Sequence, residues 1–562
     1  LLEMFTTVIL NDFDYNKKMN EILKCSQFKK IEKFRKNGKL PPLKDDEYLS
    51  SLLLKLANNN HINKDVAKKL KPVGSQPAKL YGLPKVHKEG VPMRPVLSMI
   101  RTSQYEIAKF LDVMLKPLIP KGFGCLDSFE FVDFISKFDI KNNDEIMASF
   151  DVVSLFTNVP LKETIDLCCN LWRSNTTNHS ILDEVAFREL LSFATSDVHF
   201  LFNNDWYKQV DGVAMGSPLA PTLASIFLSS IEDKIDSFVG RKPLAYKRYV
   251  DDIFLIFQNE TDISPFLNYM NSLHSNVKFT MEKEQDKKLS FLDLLIERKN
   301  GRYETEIYRK KTDTGLYTTP ISFCESKYRR NMIKGLIFRS WALSSTYKGC
   351  NDSLNKLNKL LYDNGYSKSI VEKLTKETID KLIDKKSNTK ILDVQDQEQS
   401  CNTNDKSLGI GYVLTVPYSE GFKIFKNSIL KALDNAISLK VISRTQKIES
   451  MFGNKSPTPL GLCSDLIYQY TCNGCNATYI GETSRHLCKR IQEHSRNEGG
   501  SNIAGHRRHC KGDITSQHFK ILCTQFKNYW ERVTCEALYI RSLDPKINVQ
   551  TALSTTLLRV FK

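Results

Sequence analysis

The sequence predicts an α+β chain made of a large mixed domain, a polar connecting stretch and a small α/β domain at the C-terminal end. Three observations carry this expectation. Residues 79–310 alternate strand-like apolar runs with helical patterns. Residues 385–408 are rich in Gln, Asn, Asp, Ser and Lys and poor in apolar side chains, the composition of a linker or an unstructured loop. From about residue 455 short strand-like and helix-like runs resume. Upstream, the first stretch reads as basic and helical, as in Phe28-Lys-Lys-Ile-Glu-Lys-Phe-Arg-Lys36, where apolar residues interleave with charge. Lys71-Pro-Val-Gly-Ser-Gln-Pro77 is a cluster of breakers and marks a boundary. Residues 325–385 carry helical periodicity, and no internal repeat is present.

The chain has 562 residues, of which 41% are hydrophobic and 26% charged, a globular rather than a disordered balance. Its net charge of +17 points to a polyanionic partner, nucleic acid before membrane. No apolar run reaches membrane-spanning length, so no membrane partner is expected. The start, Leu1-Leu2-Glu3-Met4-Phe5, has no basic segment before an apolar one, and its lack of an initiator Met implies a piece of a longer protein. Fourteen cysteines in a chain this long do not make a disulfide scaffold; they are expected to be reduced, intracellular and open to a metal.

The strongest local signal is Arg248-Tyr-Val-Asp251-Asp252-Ile-Phe-Leu-Ile-Phe257. Two adjacent carboxylates lie between two apolar runs, which predicts a β-hairpin with Asp251 and Asp252 at its tight turn. An Asp pair also suits an ordinary turn. A third carboxylate, Asp151, ends the strand-like run Ile146-Met-Ala-Ser-Phe150 and can converge on the pair. Phosphoryl transfer to a 3′-hydroxyl needs two Mg²⁺ ions about 4 Å apart, bridged by such carboxylates. Hard cations want oxygen ligands, and Asp supplies them on a short side chain. A third element, Gln209-Val-Asp-Gly-Val-Ala-Met215-Gly216-Ser217-Pro218, holds a glycine for close approach. Ser217 then looks like an N-cap with Pro218 at the first helical position, opening a helix through Phe227 to Gly240.

Asp151-Val-Val-Ser-Leu-Phe-Thr-Asn-Val-Pro160, Ala214-Met-Gly-Ser-Pro218 and Tyr249-Val-Asp-Asp252 resemble, in order and spacing, the three palm motifs of reverse transcriptases. The flavour is similar to Penelope-like elements, whose polymerase is related to that of telomerase. Lys79-Leu-Tyr-Gly-Leu-Pro-Lys-Val-His-Lys88 and Met93-Arg-Pro-Val-Leu-Ser98 resemble that group's fingers motifs. Leu289-Ser-Phe-Leu-Asp293 and Tyr308-Arg-Lys-Lys-Thr312 resemble its segments after the palm. The resemblance implies a right-hand polymerase of fingers, palm and thumb, with Asp151, Asp251 and Asp252 as catalytic, Mg²⁺-binding carboxylates. It places Phe156 where a ring would exclude a 2′-hydroxyl, and Met215, Gly216 and Ser217 at the nucleotide. Lys85 and Arg94 match basic fingers positions that contact the triphosphate, though solvated surface charge gives the same residues. Lys278 is a weaker candidate for protonating the pyrophosphate leaving group.

The last stretch has different chemistry. Tyr468 and Tyr479 stand on two short strand-like runs. Arg490 and His494, four apart in a helical pattern, share one face. Glu536 follows in another helix-like run, and Asn548 in Pro545-Lys-Ile-Asn548. A Tyr or His can help activate water, Arg can stabilise phosphate charge, and one carboxylate can hold one divalent metal. The set resembles the GIY-YIG nuclease family, with Tyr468, Tyr479, Arg490, His494, Glu536 and Asn548 at its motif positions. Leu466 stands where that family has its first Gly, and Arg485 is a second candidate for the Arg. Cys472 and Cys475 form a Cys-x2-Cys pair around Asn473-Gly474, itself a plain hairpin-turn signal. Penelope-like elements with this nuclease place a cysteine pair there, with histidines downstream. His506 and His509 are the candidates to complete a tetrahedral Zn²⁺ site, with Cys510 and His518 as alternatives.

Together these readings divide the chain into a basic helical extension (1–78), fingers and palm (79–310), a helical thumb (311–385), a linker and connecting segment (386–454) and a GIY-YIG nuclease with a zinc site (455–562). They imply two Mg²⁺ ions in the polymerase site and one in the nuclease. The partners are template RNA, target DNA with its primer and deoxynucleoside triphosphates, and the setting is the nucleus. The function implied is target-primed reverse transcription by a retrotransposon enzyme. Competing readings are a domesticated telomerase-like polymerase with an idle nuclease, and a degenerate nucleic-acid-binding protein. The intact Asp151, Asp251, Asp252, Arg490 and Glu536 argue against the latter.

Overall fold

Every side chain from Ile253 to Phe257 is buried, so the strand Asp252–Phe257 has protein on both faces and needs no polar alternation. It is central in a four-stranded antiparallel sheet ordered Ala245–Tyr249, Asp252–Phe257, Ile146–Val152, Phe279–Lys283. The computed structural model of the chain describes residues 8, 10–31, 40–86, 88–120, 122–141, 144–174, 181–299, 301–310, 312–392, 412–433, 439–445, 456–496, 500–510, 512–524, 526 and 528–549. The chain divides into two units, each assembled from separated segments.

The first unit comprises Leu1–Ile9, Lys121–Val153 and Glu232–Asn454. Beside its four-stranded sheet runs a three-stranded antiparallel meander, Lys288–Phe291, Leu294–Lys299 and Arg302–Ile307. Phe131 and Ile135 of the helix Ser128–Ile135 pack with Phe254, Phe291, Ile296 and Tyr303 to form the core under both sheets. The helices Ser326–Ala342, Tyr347–Asp363 and Lys368–Leu392 follow. Ile333, Ile337, Leu357, Leu361, Val371 and Leu374 fill their shared core, in keeping with the helical pattern of residues 325–385.

The expected linker is more structured than its composition announces. The helix Lys368–Leu392 runs into the polar stretch. Residues 393–411, 434–438 and 446–455 lie outside the described residues. Between them, Tyr412–Pro417 and Leu439–Arg444 pair as parallel strands around the helix Phe422–Ala432. Parallel strands need a crossover, and the amphipathic run between them supplies it. The short apolar runs Val413–Val416 and Val441–Ile442 were lost among flanking lysines and serines.

The second unit comprises Leu10–Pro120, Ser154–Ile231 and Lys455–Lys562. Its five-stranded sheet is ordered Phe28–Lys30, Asp205–Gln209, Val198–Phe202, Ala78–Pro84, Met93–Ser98. Only the Ala78–Pro84 and Val198–Phe202 pair is parallel. Leu80, Leu97, Phe200 and Tyr207 build its core with Met19 from the helix Asp12–Ile22. The N-terminal stretch is therefore not purely helical. Phe28-Lys29-Lys30 becomes an edge strand, since its backbone finds partners at Tyr207, Lys208 and Gln209; residues 32–36 of that pattern lie outside the described residues. At the end of the chain, a three-stranded antiparallel sheet ordered Thr478–Thr483, Leu466–Thr471, Phe519–Thr524 is flanked by the helices Leu487–Arg496, Asn502–Arg507 and Tyr529–Leu543.

The helix expected from Ser217 to Gly240 is shorter. It spans Ala220–Glu232, and a single 3-10 turn, Ile235–Ser237, follows it. Pro221, rather than Pro218, takes the first-turn place where a missing N–H costs nothing.

Candidate active sites

The carboxylate site is built on the four-stranded sheet. Asp151 is the penultimate residue of Ile146–Val152 and lies in register with Asp252 on one side and Thr280 on the other. The hairpin forms as the sequence predicts, but Val250 and Asp251 make its tight turn, and Asp252 opens the second strand in register with Tyr249. Val250 has φ of +56°, a left-handed conformation that costs a β-branched residue about 1–3 kcal/mol. The surroundings hold it there. Arg248, 4% exposed, donates through Nη1 to the Val250 carbonyl at 3.3 Å. Its Nε and Nη2 grip both carboxylate oxygens of buried Glu232 at 2.6 and 3.0 Å, and the Tyr246 hydroxyl donates to the same group at 3.0 Å. The Val152 N–H closes the arrangement on the Asp251 carbonyl at 3.1 Å.

Burial first, then the charges of Asp251 and Asp151, push the Asp252 carboxyl up to about 6, against an opposing pull from Lys310. Three crowded carboxylates of this kind suit a divalent cation, which relieves the repulsion that raises Asp252. Asp151, Asp251 and Asp252 are the residues that would hold Mg²⁺. Lys310 was not singled out from the sequence; the basic segment around it gave no reason to prefer it to its neighbours, and Lys311 lies outside the described residues. Lys278 is engaged elsewhere, its Nζ donating to the Asn271 carbonyl at 2.9 Å.

A stability prediction follows from Asp252. Between pH 3.8 and about 6 the unfolded chain holds fewer protons at this position than the folded protein. Stability therefore falls as pH rises through that window. Metal-free Asp252→Asn should melt above the wild type at pH 7, by about 2 °C or more, with the gain vanishing below about pH 4. Added Mg²⁺ should reverse the order, since the wild type keeps the full ligand set. A wild type that melts higher in chelator at pH 7 would show that the carboxylates do not repel one another.

In the second unit the structure brings the expected nucleotide residues onto linked loops. Gly216 has φ of +133°, and a Cβ there would lie 2.2 Å from the Leu97 carbonyl. The Leu97 N–H donates to the Met215 carbonyl at 2.8 Å, tying this loop to the strand that carries Arg94. The Val213 N–H donates to the Phe156 carbonyl at 2.7 Å. Phe156, Met215, Gly216 and the Arg94 strand are thus stitched together through backbone. The Ser217 hydroxyl is buried and meets no partner among the described residues, so it does not cap a helix as expected. The Lys85 N–H closes the hairpin on the Pro92 carbonyl at 2.9 Å, which sets Lys85 at its open end; His87 lies outside the described residues.

The C-terminal sheet gathers most of its expected set. Tyr468 pairs in register with Gly481 and Tyr470 with Tyr479, so both expected tyrosines share one face. A Cβ on Gly481 would sit 2.5 Å from the Tyr468 hydroxyl, which is why a glycine stands there. Arg490 Nε donates to that hydroxyl at 3.2 Å, leaving its proton for His494 Nε2 at 2.7 Å. His494, 1% exposed, also meets Ser501 Oγ through Nδ1 at 2.6 Å. Burial, with Arg490 beside it, depresses the imidazole to about 3, so it is neutral. Burial raises both tyrosine hydroxyls. Burial and the charge of Glu482 push Glu536 up to about 7, against the Glu482 backbone N–H, Arg490 and Arg532. A buried carboxyl held partly protonated beside a second carboxylate fits a divalent cation, and Glu536 would hold it. Arg485 and Arg490 both pair with Glu493, at 2.6 and 3.0 Å, and of the two it is Arg490 that donates to the Tyr468 hydroxyl. Asn548 acts as a clamp: its amide accepts from the Ile480 N–H at 2.8 Å and donates to the Ile480 carbonyl at 2.7 Å, fixing the strand that carries Tyr479.

The cysteine pair is not a two-residue Asn-Gly turn. Asn476, not Gly474, takes the left-handed conformation, and the Cys472 N–H bonds to the Ala477 carbonyl at 2.9 Å. Cys472, Cys475, His506 and Cys510 present ligand atoms that all lie within 4.8 Å of one another. Cys472 Sγ stands 3.6 Å from Cys510 Sγ, and Cys475 Sγ 3.3 Å from His506 Nε2. Ligands about 2.0–2.3 Å from a tetrahedral zinc are separated by similar distances. A Cβ on Gly474 or Gly512 would reach within 2.7 Å of a ligand sulfur, so both glycines clear the site. Burial raises the Cys472 thiol, but the backbone N–H groups of Gly474 and Cys475 and the His506 ring outweigh it and bring the thiol down to about 6. His509 is the correction here. The Cys510 N–H bonds to the His506 carbonyl at 3.0 Å, one helical turn on, which brings Cys510 to the pair instead. His518 turns to Thr515.

Carboxylates at a β-hairpin turn and on its neighbouring strand could hold the divalent ions that nucleotidyl transfer needs. Residues 61–304 match the family model for "Reverse transcriptase (RNA-dependent DNA polymerase)", so the chain carries a reverse transcriptase domain. Among solved structures the chain is similar to apo telomerase from Candida Tropicalis truncated from its C-terminal domain, at 16% identity and a TM-score of 0.32, over 40% of this chain and 54% of that one. It is also similar to telomerase from Candida albicans in complex with a fragment of telomeric RNA, at 12% identity and 0.40, over 59% and 64%. A BmCPV RNA-dependent RNA polymerase at elongation state gives 14% and 0.33, over 62% and 31%. The chain thus spans less than two thirds of the length of these relatives. No curated protein sequence matches the chain.

Proposed function

We propose that this chain is the enzyme of a Penelope-like retroelement, which nicks target DNA with a C-terminal GIY-YIG nuclease and extends the new 3′ end by copying RNA. The observation that carries the reading is the pairing, in one chain, of a reverse transcriptase domain with the Tyr468, Arg490, His494 and Glu536 set. In the polymerase site Asp151, Asp251 and Asp252 would hold Mg²⁺, which supplies activation of the primer hydroxyl and neutralisation of the triphosphate. The chain's own contribution is position. Arg248 and Glu232 fix the turn that aims Asp251, and Phe156, Met215 and Gly216 are the residues that would meet the nucleotide. In the nuclease, neutral His494 would accept from and orient the Tyr468 hydroxyl, Arg490 would steady charge on the scissile phosphate, and Glu536 would hold a divalent ion whose positive charge favours the departing oxygen. The Cys472, Cys475, His506 and Cys510 knuckle braces the hairpin between the two tyrosine strands. The basic charge of the chain suits RNA and DNA as partners, and the nucleus as the place of action.

The test uses the purified full chain in two assays, primer extension on an RNA template and nicking of a supercoiled plasmid, each with Mg²⁺. Glu536→Ala should lower nicking about 100-fold or more and leave extension intact. Extension without any nicking by the wild type would leave a polymerase that works on pre-existing ends.

A further inference from the structure

The breaker cluster at residues 71–77 is the seat of the C-terminal segment. Gly74 has φ of +64°, and a Cβ there would meet Ser464 Cβ and the Ser484 carbonyl, each at 2.6 Å. Ser464 Oγ donates to the Gly74 carbonyl at 2.5 Å. His486, 1% exposed, meets the Ser75 carbonyl through Nε2 at 2.6 Å, while the Ser75 N–H donates to buried Asp46 at 3.2 Å. Leu462 packs with Leu201 and Trp206 of the five-stranded sheet. Close backbone approach, buried hydrogen bonds and apolar cover together make a built junction rather than a chance touch.

One chain of charges crosses it. Arg101 follows the Met93–Ser98 strand, and its Nη2 donates to Asp465 Oδ2 at 2.8 Å. The other oxygen of Asp465 accepts from Arg532 Nη1 at 2.6 Å. Arg532 Nε donates in turn to Glu482. Arg532 is buried and lies one helical turn before Glu536 on the helix Tyr529–Leu543, and the charge of its partner Glu482 acts on the Glu536 carboxylate. Asp465 is held at φ of +52°, a conformation that persists only where contacts on both sides enforce it. Asp465 therefore divides one carboxylate between a cation on each side of the junction. Without Arg101 it would turn wholly to Arg532 and draw it from Glu482, whose charge faces Glu536.

We infer that Arg101 is a positioning residue for Glu536, acting through Asp465, Arg532 and Glu482, so that the C-terminal site is set for its divalent ion only while seated on the polymerase domain. This rests on the reading of that site as a metal-dependent nuclease. Partners of this outer kind typically change metal affinity about 10- to 100-fold when removed. The protein would thereby keep its cutting site weak in any chain whose polymerase domain is not folded.

The test is a Tb³⁺ titration of the full chain, read as tyrosine-sensitised emission, taking the component that Glu536→Ala removes. Arg101→Gln should raise its midpoint about tenfold, and Arg101→Lys, which keeps the charge, should recover most of that. Asp465→Asn should shift it similarly, and the Arg101→Gln, Asp465→Asn double variant no further, because both cut one chain. In parallel, nicking by Arg101→Gln should fall about tenfold at limiting Mg²⁺ and return at saturation, with primer extension within about twofold of wild type. An Arg101→Gln midpoint equal to wild type overturns the inference, as does the absence of any Glu536-dependent component. A Glu536-dependent component with the expected shifts but no nicking would support the positioning role and overturn the nuclease reading alone.

Discussion

Asp251→Asn should lower RNA-templated DNA synthesis about a thousandfold while RNA binding is retained. The substitution keeps size and hydrogen bonding at the tip of the hairpin and deletes one charge from the three-carboxylate set. Losing a metal-bridging charge costs several kcal/mol of transition-state stabilisation, and about 4 kcal/mol corresponds to the thousandfold expected. The backbone should not notice: Val250 stays held by the Arg248 and Glu232 pair, and the Val152 N–H still meets the carbonyl of residue 251. Single-turnover extension with excess enzyme separates the chemical step from template binding, which a filter or anisotropy titration reads independently. Extension within about tenfold of wild type would remove Asp251 from the metal set.

The second large effect is expected at the cysteine knuckle. Freshly purified, reduced full chain should carry about one zinc. The Cys472→Ser, Cys475→Ser double variant should carry none, and nicking should fall with it although neither sulfur touches the phosphate. The route is mechanical. The knuckle closes the hairpin joining Leu466–Thr471 to Thr478–Thr483, and Tyr468 and Tyr479 stand on those strands. Ligand binding and folding of such a site are one equilibrium, so the loss should appear as a lower melting temperature as well. Because the ligands bind as thiolates and neutral imidazole, acidification should release the metal as protons compete for them. His506→Ala and Cys510→Ala should each weaken zinc retention and His509→Ala should not. Elemental analysis without zinc would return the pair to an ordinary loop.

The polymerase site was legible because its information is local. The Asp151 strand and the Asp251 and Asp252 hairpin are short apolar runs whose carboxylates fall at strand ends, and antiparallel pairing leaves little choice of partner. The Arg248 and Glu232 grip was not legible, because it joins a helix end to a strand through two buried side chains of no unusual spacing. At the cysteine knuckle, sequence offered four possible downstream ligands, and only the helical turn linking His506 to Cys510 chooses between them. The parallel unit of the connecting segment was not legible for a compositional reason: two short strands have too few apolar residues to stand out. The breaker cluster at 71–77 was read as a boundary, yet glycine also permits close approach, and that is the use Gly74 is put to.

The seat also bears on how the protein is made. Its two sides lie far apart in the order of synthesis: Leu201, Trp206 and the Gly74 loop emerge early, and Leu462 and Ser464 only after all of residues 232–454. Until then the early segments wait with an uncovered apolar patch, and closing so long a loop is a late and slow event. A chain that ends before Leu462 keeps Ile31, Leu40 and Leu43 against Leu201 and Trp206 but lacks the last apolar side chain of that cluster, which makes it the more open to chaperones and proteases.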